Sequence, residues 1–373
     1  MGKPVSAPIA GRIYLDHAAT TPVCDSARAA VMEGLRGWAN PSSPHAEGRA
    51  ARAALEEARM RVKKALGWDG HVLFTSGASE AIAIALTRAK AERIVTAPVE
   101  HDAVLRVTPG AERLPVDVAG RVTETVPGAL HAIQHVNNES GVIQPIADLA
   151  ARIHAEGGLL FCDCAQSAGK IELPHEADMI AVSAHKFGGP PGIGALLVRD
   201  LAALRPTGGQ EQGYRGGTEN WPAIVGMAAA LDEGCAWMAD AARLRAMLDA
   251  AVREGGGEVV ADDAERIPTI ASYCMPGVSA RAQLIRFDMA GFAVSAGAAC
   301  SSGTLKTSPV LKAMGWDDAR ADEVIRVSFG RSTNEAEVRA FAEAWLGLEG
   351  KKQGAGKRRG AEDRHRAGEN EEA

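Results

Sequence analysis

Between His71 and Arg199 the sequence alternates short apolar runs with helical patterns, and this alternation narrows the fold more than any other feature. The runs are "HVLF" (71–74), "RIVTA" (93–97), "HAIQHV" (131–136), "GLLFCD" (158–163), "MIAVSA" (179–184) and "GALLVR" (194–199). They are apolar at nearly every position, the pattern of strands covered on both faces. Between several of them lie helical periodicities, "ASEAIAIALTRAKA" (78–91) and "PIADLAARIHAEG" (145–157), the second stopped by Gly157. Strand and helix in alternation predict an α/β unit with a mostly parallel sheet.

Helix predominates again from Trp221 to about Arg253. After it, "GGEVVADD", "TIASYCM" and "VIRVSFG" read as strands, and "ARAQLIRFDMAG" and "NEAEVRAFAEAWLGLEG" as helices. The expected organisation is a large unit over 12–245 and a smaller α+β unit over 246–348, with the N-terminal segment packing on the smaller one. Residues 351–373, "KKQGAGKRRGAEDRHRAGENEEA", are aperiodic and carry both charge signs, so they are expected to be disordered.

Composition removes several function classes. A net charge of -6 gives no ground for nucleic-acid binding. No apolar run approaches the roughly 18 residues of a membrane helix, and the opening "MGKPVSAPIAGRIYLD" lacks the apolar centre of a signal peptide. The six cysteines (Cys24, Cys162, Cys164, Cys235, Cys274 and Cys300) are too scattered for a disulfide framework, so a reducing, cytoplasmic setting is expected. Cys162 and Cys164 share a strand face, but no second Cys/His pair has zinc spacing, and no metal site is expected.

Three strand exits carry chemistry. In "SAHKFGGPPGIGAL", Lys186 leaves a buried strand beside His185 and enters a glycine-rich turn. Desolvation and a neighbouring cation would lower its pKa and give an amine able to form a Schiff base. A structural lysine at a strand end is the alternative. In "FCDCAQSAGK", Asp163 closes an apolar run and Gln166 follows. That acid could ligate a metal, cap a helix, form an ion pair, or hold a protonated pyridine nitrogen. In "FTSGASEAIAIAL", a strand, a Ser76–Ser79 turn and a helix form a candidate phosphate cradle or an ordinary capped helix. "AGAACSSG" leaves Cys300 open as either a small buried thiol or a nucleophile on a loop.

Ten segments then occur in one order: "YLDHAATTPV", "NPSSPHAEGRAAR", "FTSGASEA", "EHDAVL", "HVNNESGVIQPI", "DCAQSAGK", "SAHKFGGPPGIGAL", "YRGGTEN", "AGAACSSG" and "IRVSFGR". In this the chain resembles the cysteine desulfurases of the NifS/IscS type, over about residues 12–347. These are class V enzymes of fold type I that use pyridoxal 5′-phosphate (PLP). The resemblance implies a large domain with a mostly parallel, seven-stranded sheet and a smaller C-terminal α+β domain. It implies that Lys186 carries PLP as a Schiff base, that Asp163 pairs with the ring nitrogen, and that Gln166 and Asn138 contact the ring-oxygen region. His101 would stack on the ring. Ala78, Ser79, Ser183 and His185 would bind the phosphate, and Thr218 would add a contact from the other subunit of a homodimer. Arg326 would grip the carboxylate of L-cysteine, in preference to Arg331, with Asn40 on the substrate side. Cys300 would take the sulfur as a persulfide, leaving L-alanine, and pass it to a sulfur acceptor or iron–sulfur scaffold protein. A selenocysteine lyase or a class V aminotransferase would share much of this set. Ala83, Pro191 and Cys164 depart from the common pattern, and so does the tail, which leaves a scaffold partnership open.

Overall fold

The computed structural model describes residues 11–297 and 307–348. The strands are β1 (Ile13–Tyr14), β2 (His71–Thr75), β3 (Ile94–Thr96), β4 (Glu112–Arg113), β5 (Leu130–Gln134), β6 (Leu159–Asp163), β7 (Met179–Ser183), β8 (Gly194–Val198), β9 (Glu258–Val259), β10 (Ile270–Cys274), β11 (Phe292–Ala293) and β12 (Val324–Ser328). Seven of them form the large sheet, in the order β2-β8-β7-β6-β5-β3-β4. All neighbours are parallel except β8, which runs against both β2 and β7. The six apolar runs read from sequence are β2, β3, β5, β6, β7 and β8, within a residue or two at each end.

The runs are apolar throughout because both faces of the sheet are covered, and alternate residues feed two cores. Ile133, Cys162, Ile180, Val182 and Leu197 face helices Ala46–Ala65, Ile146–Ala155 and Trp221–Asp232 through Leu55, Leu149 and Met227. Ala132, Phe161, Met179, Ala181 and Leu196 face helix Ala78–Arg88 through Ala81, Ile82 and Ala85. β5, β7 and β8 are buried at every position, as central strands with helices on both sides must be.

A second core surrounds the antiparallel sheet β12-β10-β9. Tyr273, Phe287, Phe341 and Trp345 are fully buried in it, and Phe287 stacks on Trp345 with ring centroids 6.2 Å apart. The N-terminal segment joins this body: β1 pairs in parallel with β11, and Ser328 N–H donates to Leu15 O. The helical stretch from Trp221 comprises two helices, Trp221–Asp232 and Met238–Glu254. The break falls at Gly234, whose φ of 69° is left-handed. Leu244, Leu248 and Val252 of the second helix pack into the smaller core, and position 245 lies inside that helix.

The antiparallel strand brings three chain ends to one edge. Gly194 opens β8 opposite both Thr75 and Ser183, while Asp163 lies beside Gln134 and Ala181. The exits of β2, β5, β6 and β7 therefore share one side. At Gly194 a Cβ would lie 2.4 Å from Val182 O and 2.7 Å from Gly77 Cα. Gly194→Ala is expected to destabilise the protein by about 1–3 kcal/mol through overpacking. A wild-type midpoint in urea denaturation would contradict this close approach.

Candidate active site

Each loop leaving that edge carries one part of the site. After β2 the chain turns at Gly77, with φ 153°, into the 11-residue helix Ala78–Arg88. A Cβ on Gly77 would project toward the Ser183 hydroxyl at 3.6 Å. The free N–H groups of the first helical turn and the exposed Ser79 thus follow a turn that passes close to the Ser183 hydroxyl. That donor set suits a phosphate.

After β6, Asp163 is buried, with Oδ1 accepting from Ala165 N–H at 2.9 Å. Burial pushes its carboxyl above the usual range, opposed by the Ala165 bond and the nearby charges of His101 and Lys186. A carboxylate in that position favours a cationic partner. His101 begins helix Asp102–Val107; its exposed ring accepts from Ala103 N–H at 3.1 Å. Gln166 is buried and its Nε2 donates to Ala18 O at 2.9 Å.

After β7 a short turn, Ala184–Lys186, brings Lys186 back toward the N-terminal segment. Its Nζ donates to Ala18 O (2.7 Å) and Ala19 O (2.9 Å). Burial and then the Arg326 charge lower its pKa to about 8, against the opposing pull of Asp163 and Asp16. His185 meets Thr20 Oγ1 at 3.1 Å. Burial and the charges of Lys186 and Lys170 lower its pKa to about 4, so its ring is neutral at pH 7.

Arg326 reaches the site from β12 of the other sheet. It is buried, pairs with Asp16 Oδ1 at 2.8 Å and donates to Asn138 O at 3.0 Å. Its Nε is buried without a partner among the described residues. Arg331 lies elsewhere, bonded to Gly234 O and paired with Glu233 at 3.1 Å.

The structure therefore gathers Lys186, Asp163, His101, Gln166, Asn138, Arg326, Ser183, His185 and the Ala78–Ser79 turn at one edge. It does not bring Asn40 or Thr218 there. Both are exposed, and Asn40 closes its own turn by accepting from Ser42 N–H. Cys300 lies outside the described residues. The buried Glu139 carboxyl accepts from Ser308 Oγ at 2.6 Å, and a Cβ on Gly297 would run into it. Asp16, Glu139 and Lys170 lie in motifs read from sequence, but no role was read for them. Their only signal there is a charge placed between apolar or small residues. Cys162 and Cys164 are buried with sulfurs 3.7 Å apart, and no metal-binding group of side chains exists among the described residues.

Comparison with known proteins decides the family. The sequence model of "Aminotransferase class-V" matches residues 13–341. The chain belongs to the class-V aminotransferase family. Within it, the similarity runs to the NifS-type desulfurases. A cysteine desulfurase of Cereibacter sphaeroides is 36% identical, over 88% of this chain and 93% of that one. A solved NifS-like protein superimposes with a TM-score of 0.81 at 31% identity, covering 90% of this chain and 99% of its own. A structure described as SspA in complex with cysteine gives 0.75 at 29% identity, covering 86% and 100%. The family and its fold imply PLP as cofactor.

The lowered pKa of Lys186 has a measurable consequence. Reductive labelling by a small aldehyde, followed by peptide mass spectrometry, should show Lys186 reacting with a midpoint near pH 8, well below the ordinary lysine value of about 10.4. A midpoint above about 10 would contradict the burial described here.

Proposed function

We propose that this protein is a cysteine desulfurase that uses PLP bound to Lys186. The observation that carries the reading is the convergence of Lys186, Asp163 and Arg326, from two sheets, beside the Gly77–Ser183 cradle. PLP fits this set. An anion-binding turn faces Ser183, a buried carboxylate can hold the ring nitrogen, and an amine of lowered pKa lies near both. When bound, the cofactor supplies covalent attachment for a substrate amine and a sink for electrons released at its Cα.

The chain's own residues do the rest. Ala78, Ser79, Ser183 and His185 hold the phosphate, Gln166 and Asn138 approach the ring oxygen, and His101 covers the ring face. Arg326 binds the L-cysteine carboxylate through its planar fork. Asp16 and Asn138 O already hold that guanidinium in place. Lys186 Nζ, released as a free amine, removes the Cα proton; its lowered pKa suits a base near neutrality. The Cys300 thiolate attacks the substrate sulfur. The C–S bond breaks as the S–S bond forms, Cβ takes up a proton, Lys186 returns a proton to Cα, and L-alanine leaves. The persulfide passes to a sulfur acceptor or an iron–sulfur scaffold protein.

The reading includes a homodimer in which Thr218 reaches the partner's phosphate. Met32, Leu35 and Trp38 are 62%, 66% and 79% exposed on and just after helix Asp25–Arg36, an apolar strip that a second copy would cover. A cytoplasmic setting agrees with the five described cysteines, all of which are free thiols. Among the described residues no helix is long and apolar enough to cross a membrane.

Purified protein should be yellow and should make alanine and sulfide from L-cysteine in the presence of a reductant. Lys186→Ala should lose colour and turnover, the latter by roughly 10²–10⁴-fold or more. Cys300→Ala should keep the colour and lose sulfur release. Normal desulfuration by Cys300→Ala would remove the nucleophile assignment. A colourless wild type unchanged by added PLP would remove the whole reading. Turnover of L-selenocysteine but not L-cysteine would reassign the substrate. Sedimentation should show a dimer that Trp38→Asp weakens, and an unaltered dimer in that variant would place the interface elsewhere.

A further inference from the structure

Lys170 is a buried amine for which the reaction above has no use. Its side chain and that of Gln166 are each only 4% exposed. Both sit on the tight turns that follow Asp163, held by Lys170 N–H to Ser167 O and Ser167 N–H to Cys164 O. Lys170 Nζ donates to Gln166 Oε1 at 3.5 Å. The other end of that amide, Nε2, donates to Ala18 O, the same carbonyl that accepts from Lys186.

We propose that Lys170 is a positioning residue that fixes which end of the Gln166 amide faces the cofactor; this rests on the PLP reading above. A glutamine amide can turn over, exchanging donor for acceptor, unless its partners forbid it. Here both partners forbid it. In its charged form Lys170 only donates, so Oε1 then faces Lys170; a carbonyl only accepts, so Nε2 must face Ala18. Nε2 carries two N–H groups. One goes to Ala18 O, and the second has no acceptor among the described residues. That second N–H is the donor available to the ring oxygen of PLP. Without Lys170 only Ala18 O would hold the amide, and a turned amide would present an oxygen to the ring oxygen.

The surroundings of Lys170 argue against a role in packing alone. It has no carboxylate partner among the described residues, and the ionisable groups that feel its charge or act on it are His17, His185 and Lys186. All are basic. Burial and the Lys186 charge pull its pKa to about 7. A methionine there would fill similar space without the desolvation penalty, so an amine needs a polar reason to be present. The Gln166 carbonyl is that reason.

The test follows the visible band of the PLP-loaded enzyme against pH. Donation to the ring oxygen favours its ionised form and lowers the midpoint of that titration. Lys170→Met should move the midpoint up by about one unit, the size of one hydrogen bond to a charged group. Gln166→Leu should move it equally far, and Lys170→Met in the Gln166→Leu background should add nothing. An unmoved midpoint in either single variant would overturn the proposal. So would an equal further shift in the double variant, which would make Lys170 a direct charge effect. A wild type without a visible band would instead overturn the PLP reading itself.

Discussion

The carbonyls of Ala18 and Ala19 are where the structure is tied together. The segment from Ile13 to Thr21 pairs with β11 at one end, exchanges bonds with β12 in the middle, and meets the Lys186 turn at the other. Leu15 N–H donates to Ala293 O, Ala18 N–H to Ser328 Oγ, and Thr21 N–H to His185 O. The same stretch then holds Lys186 through Ala18 O and Ala19 O, and Arg326 through Asp16. Two sheets with separate cores are thereby set so that an arginine from one lies near a lysine from the other. The Ala18 bond to Ser328 is buried, where breaking it would leave polar groups without water.

Electrostatics explains why so few carboxylates suffice. Lys186, Lys170, His185, His17 and Arg326 crowd one region, opposed mainly by Asp163 and Asp16. Full charge on all of them would be costly in low dielectric. Instead the titratable cations shift downward: the lysines to about 8 and 7, the two histidines to about 4. Arg326 cannot give up its proton, so it receives the direct ion pair. The acids respond in the opposite sense. Burial raises Asp163, and neighbouring His101 and Lys186 hold that rise back. The outcome is an amine that gives up its proton more readily than an ordinary lysine, beside a guanidinium fixed by Asp16.

The sequence was legible where a physical rule is local. Strands buried on both faces are apolar at consecutive positions, so β5, β7 and β8 could be read directly. The glycine at a strand–helix turn and the lysine beside a histidine at a strand exit were legible for the same reason. Asp16 was not. It is one charge in "IYLDHAA", and its value comes from Arg326, 310 residues away. Lys170 was not, because a lysine at the end of "AQSAGK" looks solvated until the fold buries it. Glu139 reads as part of a turn, and only the tertiary fold places its carboxyl against Ser308 and Gly297.

The order of the motifs in the chain already determined the family and the layer architecture, because strand periodicity and turn composition depend on near neighbours. Tertiary structure decided the rest. It set the antiparallel course of β8, the meeting of Arg326 with Lys186, and the burial that shifts each pKa. It also separated Arg326, held by Asp16, from Arg331, held at the Gly234 bend. The physical reason is distance along the chain: burial, ion pairing and desolvation are produced by residues that only folding makes neighbours.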